Sequence, residues 1–562
     1  MTSSPIRVLI VDNLPEFRAQ YAALVRDWGY EPVVVDVDGA ELPDQALRLA
    51  AEQRCPLALV DLRLVEDTDQ GDISGLELVR RLPYTRAIVI TGYDNTPMVR
   101  LAIQQYGAAS FVGKGEAPEV LRAELNRVAD SQCLRGNGPK VQWQDGLSSA
   151  AVRDEMFPDQ PGIPADEPEA LIRLLFNDKL WVRLTMISDS NGGAGAEQVS
   201  PSVHASLRRK SRVFVAEIAG ERALQVVKLA RTEKIERERE NYRRYVEGGI
   251  EALRRPELTG DALLWDMGAI AYRLVGFEHL AEGKGQVFTR FYRRTTDPAT
   301  IVAPLRDFFS YAAWGDWYRG PHVQALQGTL VEAYDRSWDQ ALTRLEPLWR
   351  AQPLDWRLEP LAITLPHPQR WFVEQRRRCE QLRWLRQVIT HGDLHGDNLF
   401  ADRQTAWPID FERTGYGPLL RDFVELVQDV TTRIAVLHAA ELPLVYELAL
   451  ALCEPQAPHE PMRATRAILA HAEARKCFLV VQALQELAAA RAAYDDRREY
   501  LWGLLCNHLF VSSKLAPESG RWQRTMLFAA VICQRLDRWE AATWPPPAWP
   551  QVEWAAPQRL EG

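Results

Sequence analysis

The sequence predicts two folded regions of different class: an α/β doubly wound domain with a five-stranded parallel sheet over residues 1–130, and a two-lobed α+β region from about residue 171. Three observations carry this. Short apolar runs alternate with amphipathic stretches through the first 130 residues. A stretch rich in Gly, Pro and Asp without periodicity, residues 131–170, reads as a linker. Beyond it, β-like runs continue to about residue 295 as a small sheet-rich lobe, and Leu/Ala/Arg-rich helical sequence fills 296–540 as a larger one. The closing segment, 541–562, has too much Pro for helix or central strand and reads as an extended tail.

In the first domain the strands are expected at Val8–Val11, Pro32–Val35, Leu57–Val60, Ala87–Ile90 and Ser110–Val112. Helical patterns lie between and after them at Glu16–Trp28, Pro43–Gln53, Leu76–Leu82, Pro97–Tyr106 and Pro118–Ala129. Strict strand–helix alternation is the mark of a parallel sheet covered on both faces, because each crossover needs a helix.

Composition narrows the function classes. The 562 residues carry a net charge of −9, of which −7 falls in residues 1–130 and −2 in the remainder. Neither part offers a positive field for nucleic acid or an anionic membrane, so neither is expected as a partner. Seven dispersed cysteines without a Cys-x-x-Cys pair indicate neither a disulfide frame nor a zinc site. The start, MTSSPIRVLIVD, has neither a basic n-region nor a long apolar h-region, so no targeting segment is expected, and the most apolar span, Ile434–Cys453, is broken by Glu441, Pro443 and Glu447. A cytoplasmic protein is expected.

Ligands of open α/β sheets bind at the carboxyl ends of the strands. Asp12 follows the first apolar run, Asp61 the third, Thr91 the fourth, and Lys114 comes just past the fifth. Two acids can hold an oxygen-seeking cation such as Mg²⁺, and a hydroxyl with a lysine can contact phosphoryl oxygens. Over residues 5–130 this arrangement resembles the receiver domain of bacterial two-component response regulators, a flavodoxin-like fold. The resemblance implies Asp61 as phosphoacceptor and nucleophile, Asp12 and Asp61 as metal ligands, and Thr91, Phe111 and Lys114 as the switch residues. A sensor histidine kinase is the implied partner. Asn13 stands where a second acid is usual and Gly115 where a Pro is common. The loop after Asp61 is long and carries Glu66, Asp67, Asp69 and Asp72, expected either to add ligands or to repel an acidic partner.

The second region carries its chemistry in VITHGDLHGDNLFADRQTAWPIDFERTG, residues 388–415. Asn398 follows Asp393 by five residues, and a hairpin over 399–409 should swing Asp410 back beside Asn398. Phosphoryl transfer needs a carboxylate near the accepting hydroxyl and ligands for a cation on the nucleotide phosphates. The combination resembles the aminoglycoside phosphotransferase and choline kinase group, within the protein-kinase-like fold. By that likeness Asp393 is the catalytic carboxylate, Asn398 and Asp410 are Mg²⁺ ligands, His391 braces the loop, Asp422 is structural, and ATP is the phosphoryl donor.

A nucleotide clamp is expected upstream. Lys228 ends the apolar run LQVV, and the helical EKIERERENYRRYV places Ile235, Glu238, Tyr242 and Val246 on one face, so that Glu238 points inward as its partner. Gly192, Gly193 and Gly195, in Ser190–Gln198, are the candidate phosphate loop. The segment from Val199 to Arg212 lengthens it, as a lid, a basic docking patch or a mark of altered nucleotide binding. Trp314, Trp317 and Tyr318 read as core more readily than as a pocket lining. The expected function is a phosphorelay response regulator with an ATP- and Mg²⁺-dependent phosphotransferase output acting on an unknown hydroxyl acceptor. The alternative is a non-catalytic signalling adaptor whose kinase-like module binds nucleotide or a partner protein. A DNA-binding output is disfavoured, since no helix-turn-helix pattern follows the linker.

Overall fold

A computed structural model describes residues 5–66, 69, 71–92, 101–144, 146–160, 162–186, 211–221, 223–273, 286–310, 314–438, 441–517, 519–541, 543–545 and 552–556. The strands β1 (Arg7–Val11), β2 (Glu31–Val34), β3 (Leu57–Asp61), β4 (Arg86–Thr91) and β5 (Ser110–Gly113) form one parallel sheet in the order β2-β1-β3-β4-β5. Successive side chains of a strand point to opposite faces, and both faces here are buried. Leu9, Val11, Ala58, Val60 and Val89 enter one core, whereas Val8, Ile10, Leu57, Leu59, Ile88 and Ile90 enter the other. That two-sided burial explains the near-continuous apolar runs. The expected helix at 97–106 lies partly outside the described residues.

Residues 131–170, expected as an irregular linker, instead carry a strand, β6 (Lys140–Trp143), and two helices, Ser149–Met156 and Glu167–Leu175. With β7 (Trp181–Met186), β8 (Ser211–Ile218), β9 (Gln225–Arg231), β10 (Glu257–Leu263) and β11 (Met267–Arg273) the strand completes a six-stranded sheet ordered β10-β11-β9-β8-β7-β6. Val152, Met156, Leu171 and Ile172 from those helices pack on Val182, Leu184, Phe214 and Leu229 of that sheet. Turn-forming residues hid a pattern too short for periodicity to show.

The larger lobe is mostly helical around one extensive core, which takes in Trp314, Trp317 and Tyr318, each 1% exposed. Among the described residues no helix is long and apolar enough to cross a membrane. The tail is anchored at two points: Arg535 stacks over the Trp544 ring, and Trp554 bridges to Thr465.

The first domain meets the sheet-rich lobe through the turns ahead of β3 and β4. Arg54, in the left-handed region at φ +49°, donates to Glu167 at 2.5 Å and ion-pairs with Asp266. Tyr84 meets Trp265 edge to face at 6.5 Å, beside a cleft of about 540 Å³.

Candidate functional site

Two polar sites emerge, one in each region. In the first, the strand ends gather Asp12, Asp61, Thr91 and Lys114. Lys114 Nζ stands 2.9 Å from Asp12 Oδ2 and 3.2 Å from Asp61 Oδ2. Backbone amides hold the other oxygens: Leu14 N–H donates to Asp12 Oδ1 and Leu62 N–H to Asp61 Oδ1, each at 2.9 Å. Lys114 N–H donates to the Thr91 carbonyl at 2.8 Å, tying the ends of β4 and β5 together. Burial, with Asp12 beside it, pushes the Asp61 carboxyl up to about 7 against the pull of Lys114. Gly75 permits this packing, since a Cβ there would stand 1.9 Å from the Asp61 carbonyl oxygen. Phe111 is half-buried against the core that includes Leu9 and Val89. Of the loop acids, Asp72 accepts from Val65, Glu66 and Ser74 N–H groups, so it serves its own loop. Asp67 lies outside the described residues.

The oxygen set suits a hard cation. Asn13 Oδ1, on the residue after Asp12, is buried without a hydrogen-bond partner. Among the described residues no three Asp, Glu, His or Cys side chains form a ready-made metal cage. Two carboxylates with waters and phosphate oxygens are how Mg²⁺ is usually held.

The second site lies between the lobes. Lys228 on β9 is 3% exposed, and its Nζ donates to Glu238 Oε2 at 2.8 Å and to Asp410 Oδ1 at 2.6 Å. Burial alone would discharge this lysine, but Asp410 and Glu238 outweigh it and hold the group protonated. Glu238 sits on the helix Thr232–Asn241, where Ile235 shares its buried face; Tyr242 and Val246 continue that face into the π-helical turn Tyr242–Glu247. Its Oε1 accepts from Tyr272 O–H at 3.0 Å and from Phe411 N–H at 3.2 Å.

The hairpin Leu399–Ala401 and Ala406–Pro408 turns the chain so that Ile409 N–H donates to the Asn398 carbonyl at 2.9 Å. Asn398 Nδ2 donates to the Asp393 carbonyl at 2.9 Å, which leaves its amide oxygen for a cation. Asp410 follows at φ +69°, the sparsely populated left-handed region that clusters at functional sites. Its Oδ1 is spent on Lys228. Burial would raise the Asp393 carboxyl, but Arg413, His395 and Lys514 hold it well below the usual range. His391 Nε2–H donates to the Ile409 carbonyl at 2.9 Å, and burial keeps the ring neutral. Asp422 accepts from the His391 and Gly392 N–H groups at 2.8 and 2.9 Å. Gly392, at φ +80°, lets the Arg413 carbonyl come within 2.3 Å of where a Cβ would stand.

Gly192, Gly193 and Gly195 lie outside the described residues, as does 199–210 of the lengthened loop; Ser211 and Arg212 already belong to β8. Sequence reasoning missed Lys234 and Asn241. Lys234 Nζ donates to Glu412 Oε2 at 2.7 Å, and Asn241 Nδ2 donates to the Phe411 and Glu412 carbonyls at 3.2 and 2.8 Å. They flank Glu238 at spacings of four and three, the stripe that singled out Glu238; an apolar criterion passes over them.

The response regulator receiver domain pattern matches residues 8–126 and the phosphotransferase enzyme family pattern residues 212–442. Among curated proteins, the chain is similar to the hydrogenase transcriptional regulatory protein HoxA of Cupriavidus necator, 24% identical over 237 residues that cover 39% of this chain and 46% of that protein. It is also similar to the probable transcriptional regulatory protein NarL of Mycobacterium tuberculosis, 28% identical over 170 residues, 30% of this chain and 73% of that one. The chain thus spans less than half the length of HoxA. Among solved structures, the Vibrio cholerae chemotaxis protein CheY4 aligns at 23% identity over 22% of this chain and 99% of that chain, with a TM-score of 0.19. By the two matching patterns, residues 8–126 of this chain are a response regulator receiver domain and residues 212–442 a domain of the phosphotransferase enzyme family.

Proposed function

We propose that this chain is a cytoplasmic phosphorelay response regulator, phosphorylated on Asp61 by a sensor histidine kinase, whose output domain transfers the γ-phosphoryl group of ATP to a hydroxyl acceptor. In the receiver, an Asp61 oxygen attacks the incoming phosphorus and the donor imidazole leaves; Lys114 and Thr91 meet the new phosphoryl oxygens. Asp12 and Asp61, and in the second site Asn398 and Asp410, would hold Mg²⁺, which would supply positive charge against the phosphates.

In the cleft, Lys228 is fixed by Glu238 so that its charge faces the nucleotide phosphates. Asp393 accepts a hydrogen bond from the acceptor hydroxyl and orients it in line with the γ-phosphorus. The acceptor oxygen–phosphorus bond forms as the bond to the ADP oxygen breaks, and the hydroxyl proton passes to Asp393. Held ionised by its cationic neighbours, Asp393 acts by orientation first and as a proton acceptor late.

The observation that carries this reading is the constellation of buried Lys228 and Glu238 with part-buried Asp410, with ion-pair distances of 2.8 and 2.6 Å across chain separations of 10 and 182 residues. A pure binding module has no need to keep these three charges in register with Asp393. The test is Asp393→Asn, which keeps shape and removes the charge. Turnover of ATP with a panel of hydroxyl acceptors should fall by at least a hundredfold while ATP still binds and the melting temperature holds. Wild-type protein that binds ATP but turns over no acceptor would leave the adaptor reading in its place.

A further inference from the structure

The loop from His391 to Asn398 closes on itself and hangs from one helix. Inside it, His395 N–H donates to the Asp393 carbonyl at 3.1 Å and Asn398 N–H to the His395 carbonyl at 2.9 Å. Outside it, Asp422, Glu425 and Asp429 project from the helix Arg421–Asp429 at spacings of three and four, which puts them on one face. Asp422 takes the His391 and Gly392 amides, Glu425 takes the Leu394 N–H at 2.9 Å, and Asp429 takes the Gly396 N–H at 2.8 Å. A buried amide left unpaired is costly, so this row of carboxylates fixes the orientation of the whole loop.

The far end of the row, next to Asn398, is built differently. Arg433, in the π-helical turn Val430–Ile434 that continues the helix, holds both Asp429 oxygens at 2.5 Å. Its Nη1 donates to Asp397 Oδ2 at 2.6 Å. Its Nη2 also reaches Thr289 Oγ1 at 3.2 Å, and Thr289 N–H donates to the Gly396 carbonyl at 3.1 Å. The approach is close: a Cβ on Gly396 would stand 2.6 Å from both Ile434 Cδ1 and Thr289 Oγ1. One planar fork thus ties the residue before Asn398 to the helix behind it. The compact ammonium of a lysine lacks that fork.

We infer, resting on the phosphotransferase reading above, that Arg433 and Asp397 are positioning residues for the cation on the nucleotide phosphates, acting through Asn398. Asn398 Nδ2 is committed to the Asp393 carbonyl, so where its amide oxygen points depends on where the turn stands. Paired with Arg433, the Asp397 carboxylate draws the turn back and spends its charge on the guanidinium rather than on the cation. Groups that orient a metal's ligands without touching the metal typically govern its affinity by about 10–100-fold.

The experiment measures Mn²⁺ binding, by electron paramagnetic resonance, to the full chain loaded with one equivalent of a non-hydrolysable ATP analogue. Mn²⁺ bound without the analogue is subtracted, which sets the Asp12–Asp61 site aside. Asp397→Asn leaves Asp429 paired with Arg433, and Arg433→Lys keeps a charge but loses the fork. Each should weaken Mn²⁺ binding about tenfold, the double variant no more than either alone, and Asp397→Glu should recover most of the loss. Without nucleotide, amide exchange at Gly396 and Asn398 should quicken in both single variants while the strand Arg386–Thr390 keeps its wild-type rate. Mn²⁺ affinity within twofold of wild type in Asp397→Asn overturns the inference, whatever the melting temperature does, because the bracket is then structural only. Tighter Mn²⁺ binding in Arg433→Lys overturns it too, since Asp397 released from its partner is then a ligand itself. A wild-type chain that binds the analogue but no added Mn²⁺ defeats the inference and leaves nucleotide binding intact, whereas failure of the analogue to bind removes the phosphotransferase reading as well.

Discussion

Single buried charges set much of this protein's behaviour, and Glu499 shows how. It lies 4% exposed in the first turn of the helix Arg497–Ser512, and burial pushes its carboxyl up to about 8 against the pull of Arg386. The native state then keeps a proton that the unfolded chain releases at the ordinary glutamate value of 4.5. Stability therefore falls as pH rises from about 4.5 through about 8. Glu499→Gln keeps the neutral shape and removes that slope. Urea unfolding at pH 6 and pH 9 should show wild type losing ground to the variant, by at most about 1.4 kcal/mol per pH unit within the window. Equal slopes for the two would mean that Glu499 is ionised in the fold. Residues of this kind are invisible in sequence, because Glu499 sits among ordinary helix charges and only long-range packing buries it. The reverse holds for Asp393, Asn398 and Asp410: their spacing is local, set by one loop and one hairpin, so the sequence displays it.

At the scale of elements, the helix Thr232–Asn241 is the clamp on the turn that carries Asp410. Glu238, Lys234 and Asn241 project from one side and bond Phe411 N–H, the Glu412 carboxylate and the carbonyls of 411 and 412. Asn241→Ala strands two carbonyls in a half-buried position, at a cost of about 1–3 kcal/mol. Denaturant unfolding should report that loss, and amide exchange at residues 410–414 should quicken more than exchange in β9. Uniform quickening would mean that the amide stabilises the lobe at large rather than this turn. The three central parallel strands, β1, β3 and β4, were legible because each is buried on both faces and reads as a continuous apolar run. The strand Lys140–Trp143 was not, because four residues at a sheet edge carry too little pattern, and the surrounding Gly, Pro and Asp residues mimic a linker.

At the scale of the whole molecule, the receiver touches the neighbouring lobe with the opposite edge from its proposed phosphorylation site. Asp12, Asp61 and Lys114 stand at the carboxyl ends of the strands, while Arg54 and Tyr84 precede β3 and β4. A change at Asp61 must therefore travel the length of a five-residue strand, roughly 16 Å. At the far end it meets Glu167 and Asp266 through Arg54, and Trp265 through Tyr84. Burial and the charge of Glu236, on the helix that clamps the Asp410 turn, push the Tyr84 hydroxyl up. Receiver and cleft thus share one helix, with Glu236 toward the receiver and Glu238 toward Lys228. Loading the receiver with beryllofluoride and Mg²⁺, a phosphoryl mimic, should alter amide exchange across residues 232–241 in wild type. Tyr84→Ala should remove that response while leaving the mimic bound at Asp61. Arg54→Ala should do more: it strands Glu167, 3% exposed, whose carboxyl burial already raises despite the arginine. Loss of a buried partner costs about 3–5 kcal/mol, reduced here because Arg54 is 22% exposed. That variant should separate the two regions into distinct unfolding transitions where wild type shows one. A helix that responds to the mimic as fully in both variants as in wild type would mean that the signal leaves the receiver by another face.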